Sequence, residues 1–169
     1  QIIAGQGTLA IELLDQLPRL DVVYVSIGGG GLISGIGSVL KAFSPKTRVV
    51  GVSAKNSAEL AASIRAGKMV KVDHHETLAD GCAGGVDSDT ITLGLGSEVI
   101  DDLIDCSEQQ IKSGLQQIAW SEKMLVEGSA GLAYAAWQED AQKNKNKISA
   151  VVLCGANFDK ETLSPIVNS

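Results

Sequence analysis

Apolar residues recur along this chain with two different periods, and the alternation between them predicts an α/β protein. Val22-Val23-Tyr24-Val25-Ser26-Ile27 is an unbroken, largely β-branched run. A run of that length with no polar face predicts a strand buried on both sides. Residues 48–53 and 149–153 repeat the pattern, and 99–105 predicts a shorter strand. Between these runs the spacing lengthens to the helical period. Helices are expected over 9–17, with Thr8 as N-cap and Pro18 as stop, and over 32–43, closed by Ser44-Pro45. Three more are expected over 57–66, ending at Gly67, over 108–122, capped by Ser107, and over 129–144. Strands alternating with helices predict a three-layer sandwich, a mostly parallel sheet with helices on both faces. Residues 68–97 show no period, and so long a polar, glycine-studded connection is expected to be functional or to wrap a neighbour. Residues 143–147 are expected as a solvated turn.

The densest chemical signal follows the first strand, where Gly28, Gly29, Gly30 and Gly31 stand in sequence before the predicted helix. Without Cβ atoms, backbone N–H groups there can approach an anion closely, and the helix start behind them carries partial positive charge. A tight strand-to-helix turn needs only one or two glycines. Four point to a phosphate cradle. The dinucleotide fingerprint wants a glycine at its sixth position, where this chain has Ile33 or Ser34. No Gly-Lys-Ser/Thr follows either, which removes the Walker-type loop. The terminal phosphate of a small cofactor fits better than a nucleotide. Ligands in parallel sheets collect at the carboxyl ends of strands, which brings this loop together with Cys154-Gly155-Ala156-Asn157 after the last strand.

Composition narrows the choice of partners. The 169 residues carry 44% hydrophobic and 20% charged positions, as ordinary globular domains do. A net charge of −6 argues against a nucleic-acid partner. No apolar run approaches the roughly 18 residues of a membrane span. Cys82, Cys106 and Cys154 are odd in number and widely spaced, so a reduced, cytoplasmic protein is expected. Adjacent His74 and His75 point apart, so a solvated loop is expected there rather than a metal site. The chain opens on Gln1-Ile2-Ile3-Ala4 without Met and is expected to be a piece of a longer one.

Five motifs in one order carry a resemblance. They are Ala4-Gly5-Gln6-Gly7-Thr8, Gly28 to Leu32, Leu78-Ala79-Asp80-Gly81, Val126-Glu127-Gly128-Ser129-Ala130-Gly131, and Cys154-Gly155-Ala156-Asn157. Together they are similar to the serine/threonine dehydratases and serine racemases, fold-type II pyridoxal-phosphate enzymes related to tryptophan synthase β. The resemblance implies that residues 1–169 are the C-terminal portion of the large, cofactor-binding domain. The portion with the catalytic lysine and the small domain would lie outside, since no lysine here has the family's Ser-Phe-Lys setting. It implies a cofactor-phosphate site at Gly28, Gly29, Gly30, Gly31 and the Leu32 amide. Gly81 would lie where a loop backbone passes the cofactor, Glu127 beside its ring as the catalytic candidate, and Cys154 facing the pyridine nitrogen. A thiol there cannot hold the ring protonated as a carboxylate does, which favours β-elimination over transamination. No metal is expected: Ser53 stands where some relatives place a cation-binding glutamate, although Glu59 is acidic and near. The implied activity is an ammonia-lyase acting on L-threonine or L-serine, in a homo-oligomer with an amino acid as its small-molecule partner. A serine racemase, a non-catalytic phosphate-binding domain and a nucleotide-binding module remain alternatives.

Overall fold

β1 (Val22–Ser26) is buried along its whole length, and the way its neighbours cover it organises the molecule. The computed structural model describes residues 1–168. β1 pairs in parallel with β2 (Arg48–Ala54) on one edge and with β4 (Ser149–Val151) on the other. β3 (Asp102–Cys106) extends the far side of β2, giving the order β3-β2-β1-β4. Tyr24, mid-strand, stands opposite Val50 on one side and Val151 on the other.

Parallel neighbours need crossovers, and helices provide them. α2 (Gly31–Phe43) joins β1 to β2, and α3 (Glu59–Ala66) and α4 (Thr92–Val99) lie between β2 and β3. α5 (Glu108–Gln117) and α6 (Gly128–Glu139) lie between β3 and β4. α1 (Ile2–Gln16) precedes the sheet and α7 (Lys160–Val167) follows it. Successive strand residues point to opposite faces, so β1 feeds two cores. Val22 and Tyr24 pack with Ile111, Leu115, Leu132 and Leu163 from α5, α6 and α7. Val23 and Val25 pack with Ala10, Ile33, Ile36 and Leu60 from α1, α2 and α3. The sandwich predicted from the alternation is the one observed. Among the described residues no helix is long and apolar enough to cross a membrane.

The departures have local causes. α1 begins at Ile2, seven residues before the expected start, and the Thr8 hydroxyl donates within it to Gly5 O at 2.8 Å instead of capping it. α4 opens inside the stretch expected to be irregular and runs to Val99, the expected start of the next strand, so β3 starts later, at Asp102. Its sequence Thr-Leu-Gly-Leu-Gly alternates with period two, yet Thr92, Gly96 and Val99 form its buried face at helical spacing. α5 starts where Ser107 predicts, with a reciprocal capping box to Gln110, but passes into a π-helical turn over Ile118–Glu122. α7 follows the last strand unannounced, with Pro165 inside it and Leu163 and Ile166 inward.

α6 ends at Glu139, short of the predicted 144, because the next residues turn inward. Asp140 is only 3% exposed, and Tyr24 donates its phenolic hydrogen to Asp140 Oδ2 at 3.0 Å. Arg48 pairs with the same oxygen and also with Asp102 at 3.2 Å. Asn144, 7% exposed, donates to Tyr24 Oη and to Asp140 O, so residues 143–147 are not simply a solvated turn. Burial, with the hydrogen bond to Asp140, pushes the Tyr24 phenol up to about 12. Burial also opposes ionisation of Asp140, but hydrogen bonds from Lys143, Arg48 and Tyr24 outweigh it and hold the carboxyl below its ordinary value. Asp140→Ala leaves the Arg48 cation and the Tyr24 hydroxyl without their shared acceptor. We expect it to cost about 3 kcal/mol of folding stability at neutral pH, read from urea denaturation.

Candidate functional site

The strand order creates a crevice. From β1 the chain crosses to β2 on one side, while β4 lies on the other, so β1 and β4 flank a topological switch point. Their carboxyl ends open into a cavity of about 330 Å³. Gly28, Gly29, Gly30, Gly31, Leu32, Gly81, Glu127 and Cys154, all the site residues expected from sequence, line it. Ser26, Cys82, Ser129 and Gly155 line it too and were not anticipated.

The floor is the glycine loop. Gly30 is left-handed, with φ +81°, and a Cβ there would stand 2.4 Å from Leu60 Cδ2. That residue reverses the chain so that α2 starts at Gly31 with its N-terminus at the cavity. The Ser34 N–H donates to Gly30 O at 3.0 Å, so the N–H groups of Gly31, Leu32 and Ile33 precede the helical ladder and find no acceptor within it. Gly29 is exposed, with nothing within 4 Å of where its Cβ would be. The Thr92 hydroxyl donates to Gly29 O at 2.8 Å and fixes the orientation of that peptide.

Two more segments close the walls. The turn Asp80–Cys82 lies over Gly28, whose Cβ would come within 3.1 Å of Cys82 Cα. Glu127 is the N-cap residue of α6 and accepts the Asn157 N–H at 2.8 Å, while its own N–H donates to Gly155 O. Its carboxylate fills the space beside Gly155, where a Cβ would lie 2.3 Å from Glu127 Cδ. Burial pushes the Cys154 thiol up, and the Glu127 charge adds to this against partial relief from Ser26. Cys82, also desolvated, is pushed up to about 11. Both thiols are therefore neutral at physiological pH.

Comparison with known proteins identifies the family. Residues 1–155 match the family described as pyridoxal-phosphate dependent enzymes. The chain belongs to that family. It is 34% identical to the L-threonine ammonia-lyase of Thermotoga maritima over 99% of its own length and 41% of that protein's. It is also 34% identical to the catabolic L-threonine dehydratase of Escherichia coli (strain K12), over 98% of this chain and 51% of the other. The chain thus spans about half the length of the curated relatives it matches. In three dimensions it is similar to processed threonine deaminase isoform 2 from Solanum lycopersicum, with a TM-score of 0.90 at 28% identity, covering 98% of this chain and 49% of that one. Serine racemase from Dictyostelium discoideum superposes with a TM-score of 0.83 at 31% identity, covering 93% and 50%.

The residues present fit the cofactor of the pyridoxal-phosphate dependent family. Free N–H groups at a helix start suit a phosphate, the space at Gly29 is open, and Cys154 brings a neutral thiol to the same cavity. That loop is braced from behind by residues whose pairing was not legible in sequence. His74, expected to be solvated, places Nε2 3.0 Å from Glu59 Oε2 and Nδ1 2.9 Å from Ser57 Oγ. Glu59 Oε1 accepts the Val86 N–H at 2.9 Å and Lys71 Nζ at 3.1 Å. The Val86 N–H, then His74, hold the Glu59 carboxyl down to about 2, against the opposing effect of its burial.

Two predictions follow from this geometry. Gly30→Ala forces a side chain into the left-handed region and onto Leu60. It should lower folding stability by about 2 kcal/mol in urea denaturation and weaken cofactor retention. Glu59 ionises more readily in the folded chain, at about 2, than at its ordinary 4.5. Its stabilisation is therefore complete above pH 4.5 and is lost as pH falls toward 2. Denaturation midpoints measured across that interval should fall less steeply in Glu59→Gln than in the parent.

Proposed function

We propose that this chain forms the cofactor-anchoring part of a pyridoxal-phosphate dependent ammonia-lyase that converts L-threonine or L-serine to a 2-oxo acid and ammonia. The observation that carries the reading is the convergence of the glycine loop, Gly81, Glu127 and Cys154 on one cavity at the switch point of the sheet. The named activities of the threonine ammonia-lyase and dehydratase relatives support the choice of reaction. In this reading residues 1–169 belong to the C-terminal portion of the large domain, and the lysine that carries the cofactor comes from another part of the protein. We place the protein in the cytoplasm as a homo-oligomer, the former because Cys82, Cys106 and Cys154 are all free thiols.

When bound, pyridoxal phosphate supplies an electron sink for a carbanion at the substrate Cα. This chain's residues decide how that sink is held and how strong it is. The N–H groups from Gly28 to Leu32 would hold the phosphate without a cationic side chain, so orientation would come from fixed backbone dipoles. Cys154 lines the same cavity and would offer its neutral thiol to the pyridine nitrogen. Its Sγ–H could donate a hydrogen bond to that nitrogen, but a neutral thiol has no negative charge with which to stabilise a protonated ring. The weaker sink favours loss of a β-hydroxyl over chemistry that needs prolonged carbanion delocalisation. Glu127 borders the ring region, its carboxylate steadied by the Asn157 N–H, and is the chain's candidate catalytic group. Gly81 keeps the facing backbone free of a side chain, since a Cβ there would stand 2.9 Å from Glu127 Oε1 and from Ser129 Oγ.

A second reading, amino-acid racemisation, is favoured by the similarity to serine racemase. Both reactions begin by removing the Cα proton, and they part when the β-hydroxyl leaves or stays. Incubation of the purified protein carrying this chain with L-serine or L-threonine separates them: accumulation of 2-oxo acid supports the lyase, and D-amino acid without 2-oxo acid supports the racemase. Absence of visible cofactor absorbance after incubation with pyridoxal phosphate would defeat both.

Substitutions in the cavity test the assignments. Gly29→Asp puts a carboxylate into open space at a residue without positive φ, so the fold should persist while cofactor affinity falls by roughly a hundredfold, as like charges meet. Cys154→Ala should shift the visible absorption of the bound cofactor and slow turnover. An unchanged spectrum would remove Cys154 from the pyridine nitrogen.

A further inference from the structure

Outside the cavity, a second polar constellation joins Ser57, Glu59 and His74. Its spacings, 2.9 Å from Ser57 Oγ to His74 Nδ1 and 3.0 Å from His74 Nε2 to Glu59 Oε2, are those of a hydrolytic relay. The nucleophile reading fails on access. Ser57 is 4% exposed, and its Oγ already accepts the Gly84 N–H at 3.0 Å. The Glu59 carboxylate can only accept, so His74 carries a hydrogen on Nε2 and donates it to Glu59; in the neutral imidazole Nδ1 then accepts the Ser57 hydroxyl hydrogen. Every donor and acceptor in the chain is used inward, so the relay is a strut.

What the strut holds is informative. His74 lies at one end of the segment that carries Gly81 and Cys82, and Gly84 and Val86 lie at the other. Both ends are tied to the residues that open α3, through Ser57 and Glu59. The turn between them sits on Gly28. Leu60, the residue after Glu59, is the side chain packed behind Gly30. The first turn of α3 therefore supports the roof of the cavity with one residue and its floor with the next.

We propose that His74 is a positioning residue for the cofactor cavity: through Glu59 and Ser57 it holds the 80–86 turn over the glycine loop and so sets how tightly the cofactor phosphate is bound. This rests on the reading of that cavity as a pyridoxal-phosphate site. Glu59 is 2% exposed, and a carboxylate so placed depends on its donors. Without His74, Glu59 keeps Val86 and the largely exposed Lys71, while Ser57 loses the acceptor for its hydroxyl hydrogen. The turn then loosens at both ends.

The test compares His74→Leu, which removes both hydrogen bonds, with His74→Gln, whose amide can still donate to Glu59, in the protein carrying this chain. Amide hydrogen exchange without cofactor is read at Gly84, Val86 and Ser34, the last reporting the start of α2, with Val50 in the central sheet as control. His74→Leu should speed exchange about tenfold at Gly84, Val86 and Ser34 and leave Val50 unchanged. Titration with pyridoxal phosphate should show affinity about tenfold weaker, and His74→Gln should restore most of both effects. Unchanged exchange at Ser34, or affinity equal to the parent's, would overturn the proposal. So would equal acceleration at Val50, which would mean general destabilisation. If the parent protein itself fails to bind pyridoxal phosphate, the reading of the cavity falls, while the exchange data still decide whether His74 couples the turn to the glycine loop.

Discussion

The left-handed backbone at Gly30 is the constraint on which the site depends. A strand buried on both faces has to turn sharply to become a helix lying against one of them. The turn is made in a conformation that costs an L-residue roughly 1–2 kcal/mol, and the space a side chain would need is already taken by Leu60. Because the reversal happens there, α2 begins beside the carboxyl end of β1, and its unpaired N–H groups face the crevice shared with β4. Unpaired donors at the cavity are thus a by-product of the geometry that lets β1 pair on both edges.

The two ends of the sheet are built to different ends. Near the start of β2, Arg48, Tyr24, Asp140 and Asn144 form a buried polar cluster in which one hydroxyl and one carboxylate tie two strands to the close of α6. At the opposite end the strands run out into glycines and a cavity, with polar contacts drawn back into the second tier around Glu59. Stability concentrated at one end lets the other keep open space and unpaired donors, which a binding site requires and a core does not tolerate.

Much of this could be read before any coordinates, for a physical reason. β1 and the glycine loop are local signals: an apolar run needs burial, and four glycines exceed what a turn demands. Cys154 and Gly28 were brought together by topology alone, since parallel strands expose their carboxyl ends on one edge. What escaped reading is of two kinds. α4 was hidden because its glycines made it read as part of an irregular connection, and only packing shows that Thr92, Gly96 and Val99 share a face. The other kind is pairwise and long-range. Nothing near His74 announces that Ser57 and Glu59 fold back to meet it, and nothing near Thr92 shows that its hydroxyl reaches Gly29 O. Ser129 and Gly155 lay within motifs already singled out, but their place in the cavity depends on how Glu127 fills the space between loops.

That filling couples two positions far apart in the chain. The Glu127 carboxylate occupies the volume that any side chain at 155 would require, and Gly155 is itself left-handed at φ +93°. The side chains at 127 and 155 therefore compete for one volume and are sterically coupled. A side chain added at 155 alone would displace the Glu127 carboxylate from the cavity, whereas a shorter residue at 127 would clear that volume and leave only the strain of the left-handed backbone.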